Sequence, residues 1–407
     1  FAKETIFSNF SELVQWCCPN LHLAFSITPI TTRSKKQKQS AAMQPYESIK
    51  LNEVVQRSEL NKQCTAATNS HYLQKNFNDM LLEPSLEQVA LVVAVGMHHL
   101  LLRGVPGAGK SMFAERLVSI LPNMAVKEHL EALKIHSSNS QALHSQLLEG
   151  IPPMRAPHHQ ASAAAIIGTA DRPGELSLAH GGILFLDEIT EFRRDLLEAL
   201  REPLQTGKLQ ISRANHKIER LAKVLLIAAC NNCPCGWYGS EQRPCCCPIQ
   251  KVQAYLKKLS GPILDRIDLQ INMRESHQDS SQLFLGLFDQ KVEGKDKTAL
   301  MRKKVVEARN FAYLRNQEFG FVFNRDIPSH HLFSLSGLSS QEFHELVSEA
   351  IPPLLSRRSL LKVLKISRTL ADLDEVAAIR RSDVLLALSW QSEQATLERG
   401  DRYMGIG

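Results

Sequence analysis

Eight consecutive residues from Gly104 to Ser111 (GVPGAGKS) have the types and spacing needed to hold a polyphosphate. They fit the pattern G-x-x-x-x-G-K-[ST], in which backbone N–H groups of a glycine-rich turn surround the phosphates at the positive end of a helix. In this pattern Lys110 reaches the β- and γ-phosphates, and the hydroxyl of Ser111 is a ligand of Mg²⁺. The alternative is a glycine turn that only joins a strand to a helix, but the flanking residues favour a nucleotide site. The candidate binding residues are Gly104, Val105, Pro106, Gly107, Ala108, Gly109, Lys110 and Ser111.

Polar residues follow two further apolar runs of the sequence. Asp187 and Glu188 end the run GILFLDE, which is typical of a buried central strand whose carboxyl end faces the nucleotide. We predict that Asp187 holds Mg²⁺, directly or through water, and that Glu188 polarises the water that attacks the γ-phosphate. Asn231 follows the predicted strand Val224–Ala229 and is a candidate to orient that water. The alternatives are a core strand that ends at a helix cap and a loop amide without a special task.

Clustered cysteines form a second candidate metal site. Two C-x-C pairs on either side of a short loop supply four thiolates, which suffice for tetrahedral Zn²⁺, although C-x₂-C is the commoner spacing. Unliganded structural thiols are the alternative, with Cys246 a substitute ligand or spare. The adjacent His158 and His159 are interpreted as a hydrogen-bonding loop pair rather than metal ligands. The candidate zinc ligands are Cys233, Cys235, Cys245 and Cys247.

The elements around these residues predict an α/β fold. His99–Arg103 is typical of a short buried strand and Met112–Leu121 of an amphipathic helix, as the phosphate loop requires. A capping box of Ser85 and Gln88 predicts the start of an apolar helix that ends near Met97. Together with the two later strands, this pattern predicts a P-loop NTPase core with a parallel sheet flanked by helices.

The segments between the strands have distinct patterns. Lys127–Leu148 is a polar helical stretch, and Thr190–Thr206 has the pattern of one amphipathic helix. Lys208–Arg213 and Lys217–Leu221 alternate like two strands, and we predict a hairpin.

The C-terminal quarter is predicted to be all-helical, as a lid over the nucleotide. Arg368 lies among apolar neighbours on its third helix, from where it could lean back onto the γ-phosphate. Arg266, just before the last strand, could reach a nucleotide on a neighbouring subunit. The alternative for Arg266 is a salt bridge to Asp265 or Asp268, which contributes little if it is exposed.

Composition limits the class of protein. The 48 basic and 42 acidic residues give a net charge of +6, which permits contact with nucleic acid without arguing for it. The longest apolar run, Val89–Leu102, contains Gly96, His98 and His99 and is too short to span a membrane. Of nine cysteines, five lie between Cys233 and Cys247, which favours a reducing compartment. We therefore expect a cytoplasmic protein without a membrane partner.

Six motifs, in order, resemble the ComM/YifB family of AAA+ ATPases in the magnesium-chelatase-like branch. They are GVPGAGKS, RAPHHQAS, RPGELSLAHGGILFLDE, GKLQISRAN, AACNNCPCG and SGPILDRIDL. The resemblance implies an AAA+ core at residues 76–275 with a Cys-rich insert at 233–247, and a C-terminal helical lid at 298–396. It also implies that residues 1–75 are an extension or a remnant of the Lon-like domain found upstream in the family.

The resemblance also implies roles for individual residues. Lys110 and Ser111 match the phosphate-loop pair, Asp187 and Glu188 the acids for Mg²⁺ and hydrolysis, and Asn231 the sensor asparagine. Arg266 matches the arginine finger offered to the adjacent subunit, and Arg368 the second sensor. The predicted hairpin matches one that faces the pore of a ring. Asn232 departs from the family, which has proline at this position.

Three functions remain open from the sequence. The resemblance favours an ATP-driven ring motor, a hexamer, that acts on DNA as a helicase in recombination and natural transformation. A chelatase-type motor would instead use ATP to remodel a protein partner. A nucleotide-gated assembly scaffold with little turnover is the third. The expected cofactors are ATP and Mg²⁺, with Zn²⁺ at the cysteines.

Overall fold

The computed structural model describes residues 75–80, 82–137, 145–213, 216–241, 243–259, 261–273, 296–350 and 356–398. Two predicted features lie outside the described residues: the N-terminal extension up to residue 74, and the stretch from 274 to 295 where the core is expected to meet the lid. The domain boundaries therefore stay predictions. No helix in the described ranges is both long and apolar enough to cross a membrane.

A parallel sheet organises the described part of the chain. The strands are β1 (Leu100–Gly104), β2 (Met154–Arg155), β3 (Ile183–Leu186), β4 (Lys208–Arg213), β5 (His216–Leu221), β6 (Leu225–Cys230) and β7 (Leu269–Met273). Five of them form one sheet in the order β2–β3–β6–β1–β7, with every neighbouring pair parallel. β4 and β5 pair antiparallel as a separate hairpin, as the alternating sequence predicts. The predicted α/β fold is confirmed.

Helices cover both faces of the sheet and make up the C-terminal region. They are α1 (Pro84–Gly96), α2 (Lys110–Ile120), α3 (Val126–Ser137), α4 (Ser145–Leu148), α5 (Ala163–Ile167), α6 (Glu175–Leu178), α7 (Arg194–Ala199), α8 (Arg201–Thr206), α9 (Ile249–Leu256), α10 (Gly261–Leu264), α11 (Lys297–Asn316), α12 (Ser329–Ser336), α13 (Ser340–Ala350), α14 (Arg357–Leu373) and α15 (Arg381–Glu398).

Alternating side chains of the strands build two separate cores. Leu100 and Leu102 of β1 point to the face covered by α1, α2 and the C-terminal helices α11 to α15. Leu101 points to the opposite face, where it joins residues of α6, α7 and the turn after β3. Because both faces are covered, the strands are apolar throughout rather than alternating, as expected for a parallel sheet.

Two helix predictions are wrong in detail. The predicted helix Thr190–Thr206 is interrupted, because Phe192 and Arg193 adopt extended backbone between a short 3₁₀ turn and α7. This interruption lets Phe192 bury its ring in the second core, where it is 6% exposed. The helix predicted to start with a capping box at Ser85 begins at Pro84, and its N-cap, Glu83, makes no side-chain capping bond.

The C-terminal helices are attached to the amino end of the sheet. α11 and α14 pack against α1, which is why α1 is buried on nearly every side. Just before β1, His98 Nε2 lies 2.8 Å from Thr369 Oγ1 of α14. Arg325, between α11 and α12, donates to the carbonyl oxygen of Val224, just before β6, over 2.9 Å. Both hydrogen bonds and apolar packing therefore hold the C-terminal helices to the sheet.

His99 is at the centre of this junction and is neutral. Its Nδ1 accepts a hydrogen bond from Leu226 N over 2.9 Å, and its backbone N–H donates to Asp268 Oδ2 over 2.8 Å. Burial, aided by the positive charge of Arg325, lowers the pKa of His99 to about 3. Its neutral ring can thus accept the strand hydrogen bond at physiological pH.

Candidate nucleotide site

Lys110 occupies the turn between β1 and α2. Gly109, with φ of +81°, is the N-cap of α2 in the left-handed conformation that glycine adopts without steric cost. The ammonium donates to the carbonyl oxygens of Gly104 (2.9 Å) and Val105 (2.8 Å) and to Asn231 Oδ1 (3.1 Å). Burial lowers the pKa of Lys110, and neighbouring acidic groups only partly oppose this. The cation is thus enclosed by the loop that is predicted to hold phosphate.

Ser111 and Asp187 meet at the start of α2. The Ser111 hydroxyl donates to Asp187 Oδ2 over 2.7 Å, and the other oxygen, Oδ1, accepts from the backbone N–H of Glu188 over 2.9 Å. Hydroxyl and carboxylate oxygens are the hard ligands that Mg²⁺ prefers, and here one of each lies at the same point beside the phosphate loop. The pair fits the predicted Mg²⁺ site.

Sheet order explains why these residues converge. β6 lies between β3 and β1, and all three strands are parallel, so their carboxyl ends lie side by side at the same end of the sheet. Glu188, after β3, has φ of +50°, in the left-handed region that is uncommon for residues other than glycine. The structure therefore brings together five predicted residues: Lys110, Ser111, Asp187, Glu188 and Asn231.

A cleft of about 550 Å³ opens beside Glu188 and Asn231. Its far wall comes from α9 and the residues after it, which carry Lys251, Tyr255 and Lys258. The Tyr255 hydroxyl accepts a hydrogen bond from Thr190 over 2.6 Å, and burial raises the pKa of Tyr255 to about 12. No motif in the sequence marks this wall, because only the fold brings α9 to the acids.

The cysteine cluster brings four thiols close enough together to share one metal ion. The Sγ atoms of Cys233, Cys235, Cys245 and Cys247 all lie within 4.8 Å of one another. The Sγ of Cys233 is 3.4 Å from that of Cys235 and 3.7 Å from that of Cys245. Four sulfurs around Zn²⁺, with bonds of about 2.3 Å, lie about 3.8 Å apart, so the spacing fits this ion. Cys246 is exposed and outside this set.

The cysteine loop lies directly on the phosphate loop. Gly236 has φ of +89°, and a Cβ built on it would come 2.6 Å from Cγ of Pro106. Such a distance is shorter than any ordinary contact between carbon atoms, so only glycine lets the two loops approach this closely. The two candidate sites are therefore in contact.

The two adjacent histidines have different partners. His158 Nδ1 accepts from the backbone N–H of Gln160 over 3.2 Å, a hydrogen bond within the loop. His159 Nδ1 lies 3.3 Å from Glu188 Oε2. The interpretation of a hydrogen-bonding loop pair did not anticipate this contact with the predicted catalytic acid.

Arg266 lies far from the phosphate loop of its own chain. It precedes β7, close to Asp268, whose backbone N–H bonds the carbonyl of His99 at the amino end of β1. Arg266 NH2 donates to Gln205 Oε1 over 2.7 Å, and partial burial together with nearby arginines lowers its pKa. Its alternative partner, Asp265, pairs instead with Arg358 over 2.7 Å.

Arg368 is not at the phosphate loop, which corrects its predicted placement on the γ-phosphate. The side chain is 1% exposed, and its guanidinium donates to Asp372 and to the carbonyl oxygens of Val376 and Ala377. Thr369, next to it on α14, contacts the amino end of β1, whereas the phosphate loop follows the carboxyl end. A strand rises about 3.3 Å per residue, so the five residues of β1 separate these ends by roughly 17 Å.

Two family models match this chain. "Magnesium chelatase, subunit ChlI" matches residues 76–281, which include the sheet and the candidate site. "Magnesium chelatase, subunit ChlI C-terminal" matches residues 295–391, the C-terminal helices.

Curated relatives extend the similarity over most of the chain. YifB of Escherichia coli (strain K12) is 35% identical over 327 residues, 79% of this chain and 62% of that protein. The competence protein ComM of Haemophilus influenzae is 35% identical over 329 residues, 80% of this chain and 61% of that protein. The chain thus spans about 60% of the length of these relatives. The chain belongs to the magnesium chelatase ChlI-like family of AAA+ ATPases, together with YifB and ComM.

Proposed function

We propose that this chain binds and hydrolyses ATP as an AAA+ motor. The observation that carries the proposal is the set of contacts among Lys110, Asn231, Ser111 and Asp187, directly beside Glu188. In phosphoryl transfer the protein contributes mainly positioning and electrostatic stabilisation, and this set contains the groups for both. Gly104 to Ser111 hold the phosphates, with the ammonium of Lys110 exchanging its carbonyl and amide partners for phosphate oxygens.

The remaining residues act on the attacking water. Ser111 and Asp187 would hold Mg²⁺, which neutralises charge on the β- and γ-phosphates when bound. The carboxylate of Glu188 accepts a proton from water, or polarises it, and the amide of Asn231 helps to orient that water. Tyr255 and Lys251 line the opposite side of the cleft, from which water approaches.

We further propose that the motor is a ring, a hexamer, in which neighbours complete each other's sites. The separation of Arg266 from its own phosphate loop supports this, because a finger that stabilises the transition state must then come from another subunit. Its exposed partner, Gln205, is easily exchanged for a phosphate oxygen.

DNA is the proposed substrate of this motor, in recombination and natural transformation. The similarity to a protein named for competence supports this, as does the hairpin β4–β5, whose sequence carries Lys208, Arg213, Lys217 and Arg220. A chelatase-type motor that remodels a protein partner is the second candidate, favoured by the description of the matching family. A cytoplasmic location remains part of the proposal.

The test compares ATP binding, ATP turnover and strand displacement for the full chain and two variants. Lys110→Ala removes the ammonium that faces the phosphates, so we expect it to abolish ATP binding. Glu188→Gln keeps the shape but removes the base, so we expect unchanged ATP binding and a turnover lowered by roughly 100-fold or more.

Substrates separate the candidate functions. Turnover that rises with single-stranded or forked DNA, and displaced strands that depend on Glu188, support the DNA motor. Stimulation only by a protein partner supports the chelatase-type motor. Tight ATP binding with negligible turnover under every condition would instead leave a nucleotide-gated scaffold.

We also propose that the cysteine cluster holds structural Zn²⁺. Four thiolates within 4.8 Å of one another suffice to fill the tetrahedral coordination of the ion, which leaves no open position for catalysis. Because Gly236 of this loop contacts Pro106, the proposed zinc site would support the phosphate loop from outside.

A further inference from the structure

We propose that Tyr255 is a positioning residue that holds the turn carrying Glu188 in place for hydrolysis. Its phenolic oxygen accepts a hydrogen bond from Thr190 Oγ1 over 2.6 Å, and Thr190 lies two residues after Glu188. The two hydroxyls thus join α9 to the turn after β3. The proposal rests on the proposed ATP hydrolysis, to which it adds a residue from the helix that follows the cysteine cluster.

The turn after β3 has a conformation that depends on its surroundings. Glu188 adopts φ of +50°, and the short 3₁₀ helix Ile189–Glu191 follows it directly. The left-handed conformation is sterically unfavourable for a residue other than glycine, so neighbouring contacts must stabilise it. One such contact is within the turn, where Glu191 N donates to the carbonyl oxygen of Glu188 over 2.7 Å. Any shift of this turn would redirect the Glu188 carboxylate.

The hydrogen bond between Thr190 and Tyr255 lies in the interior. Thr190 is 2% exposed and Tyr255 is 7% exposed, so water cannot readily replace either partner. A buried hydroxyl that loses its partner is destabilised, and the bond therefore resists separation of α9 from the turn. Burial also raises the pKa of Tyr255 to about 12, so the phenol stays neutral at physiological pH.

A second contact joins the same parts of the chain, but it is exposed. Lys258 Nζ lies 3.3 Å from Glu191 Oε1, and the two side chains are 49% and 43% exposed. Exposed ion pairs contribute little, because water screens the charges and the long side chains lose conformational freedom. We therefore assign the positioning to the buried pair of hydroxyls.

The place of Tyr255 favours an effect on hydrolysis rather than on ATP binding. Tyr255 and Glu188 line the same cleft. In the described part of the chain, the side-chain hydrogen bonds of Lys110 and Ser111 involve neither Tyr255 nor Thr190. Loss of the phenolic hydroxyl should therefore lower the turnover of bound ATP and leave its affinity almost unchanged.

The test measures steady-state ATP turnover and equilibrium ATP binding of the full chain with Tyr255→Phe, which removes only the hydroxyl. We expect kcat to fall roughly 5- to 50-fold, because a small misplacement of a catalytic base is costly, while KM and Kd for ATP change less than about 2-fold. Thr190→Val removes the other half of the bond and should have the same effect. Thr190→Ser retains a hydroxyl and should keep most of kcat.

Tyr313→Phe is the matched control, because Tyr313 is 41% exposed on α11, and it should keep full kcat. Combined variants separate positioning from folding. Once the bond is lost, a second substitution has nothing further to remove, so Tyr255→Phe with Thr190→Val should lose no more kcat than either alone. Tyr255→Phe should also add little to the loss caused by Glu188→Gln. Unchanged ATP binding shows that each variant is folded.

Several results would overturn the positioning role. They are an unchanged kcat in Tyr255→Phe, a loss confined to KM, a low kcat in Thr190→Ser, and losses that multiply in either double variant. A wild-type chain that binds ATP but does not hydrolyse it would overturn the proposed function and, with it, the role of Tyr255. An active wild-type chain with an equally active Tyr255→Phe variant would overturn the positioning role alone.

Discussion

The guanidinium of Arg368 is part of the interior of the C-terminal helices. It pairs with Asp372 one turn further along α14 and donates to carbonyls of the chain just after that helix. Those carbonyls belong to the segment between α14 and α15, outside either helix. A further contact joins Arg368 NH1 to the carbonyl oxygen of Leu335 on α12 over 3.4 Å, so the residue stabilises the C-terminal helices from within.

Replacing Arg368 should therefore reduce stability more than it affects the nucleotide. For Arg368→Ala we expect a loss of about 2–4 kcal/mol in the free energy of unfolding, because a buried side chain is removed and the carbonyls of Val376 and Ala377 lose their donor, while Asp372 keeps Arg315 as its partner. Denaturant unfolding measures this loss. Arg357→Ala, at the exposed start of the same helix, is the control and should change stability by less than about 0.5 kcal/mol. Normal stability with abolished turnover would restore a sensor role for Arg368.

The same residue shows what a sequence can and cannot predict. Lys110, Ser111, Asp187 and Asn231 could be placed together because strand ends of a parallel sheet meet at one edge, whatever their distance along the chain. Arg368 could not be placed, because its position depends on which face and end of the sheet the C-terminal helices occupy. The contact of His159 with Glu188 depends on β2, which has only two residues and no sequence signature.

Among the elements, the cysteine loop and the phosphate loop form one unit. Gly236 rests on Pro106, and the backbone of the cysteine loop begins at Asn232, next to the Asn231 that binds Lys110. Local patterns predicted each loop but gave no indication that they touch, since that contact depends on the turn at Gly236. We therefore expect that disorder in one loop also disorders the other.

Removal of the metal should weaken nucleotide binding. We expect about one Zn²⁺ per chain in the purified protein, and its loss in Cys245→Ser together with a weaker affinity for ATP, because the support under Pro106 loosens. Metal analysis and equilibrium nucleotide binding on the same samples test this. Cys246→Ser, which changes the exposed neighbouring thiol, should retain both. Wild-type protein without zinc would contradict the assignment.

In the whole molecule, the residues of the proposed reaction lie at two opposite ends of the strands of the sheet. The phosphate loop and the acids lie at the carboxyl ends of the strands, and Arg266 lies near their amino ends. With the proposed role of Arg266, a complete site needs two chains in contact.

Mixed variants test this sharing. Arg266→Ala and Lys110→Ala should each be inactive alone, but a mixture should recover part of the turnover, because some contacts then join an intact phosphate loop to an intact Arg266. ATPase measurements over a range of mixing ratios show the recovery. Mixtures as inactive as their components would argue against a site shared between subunits, provided that mixed assemblies are shown to form.

Strand direction has a further consequence for assembly. In the proposed interface, the carboxyl ends of the strands of one subunit face the amino ends of the strands of the next. Such an interface is heterologous, because its two sides are different surfaces. Such an interface closes into a ring only if its rotation divides a full turn, and otherwise extends as a helical filament. An open row always has one phosphate loop without a donor, whereas closure supplies every loop. If Arg266 is the donor, as proposed, the orientation of the five parallel strands makes closure a condition for full activity.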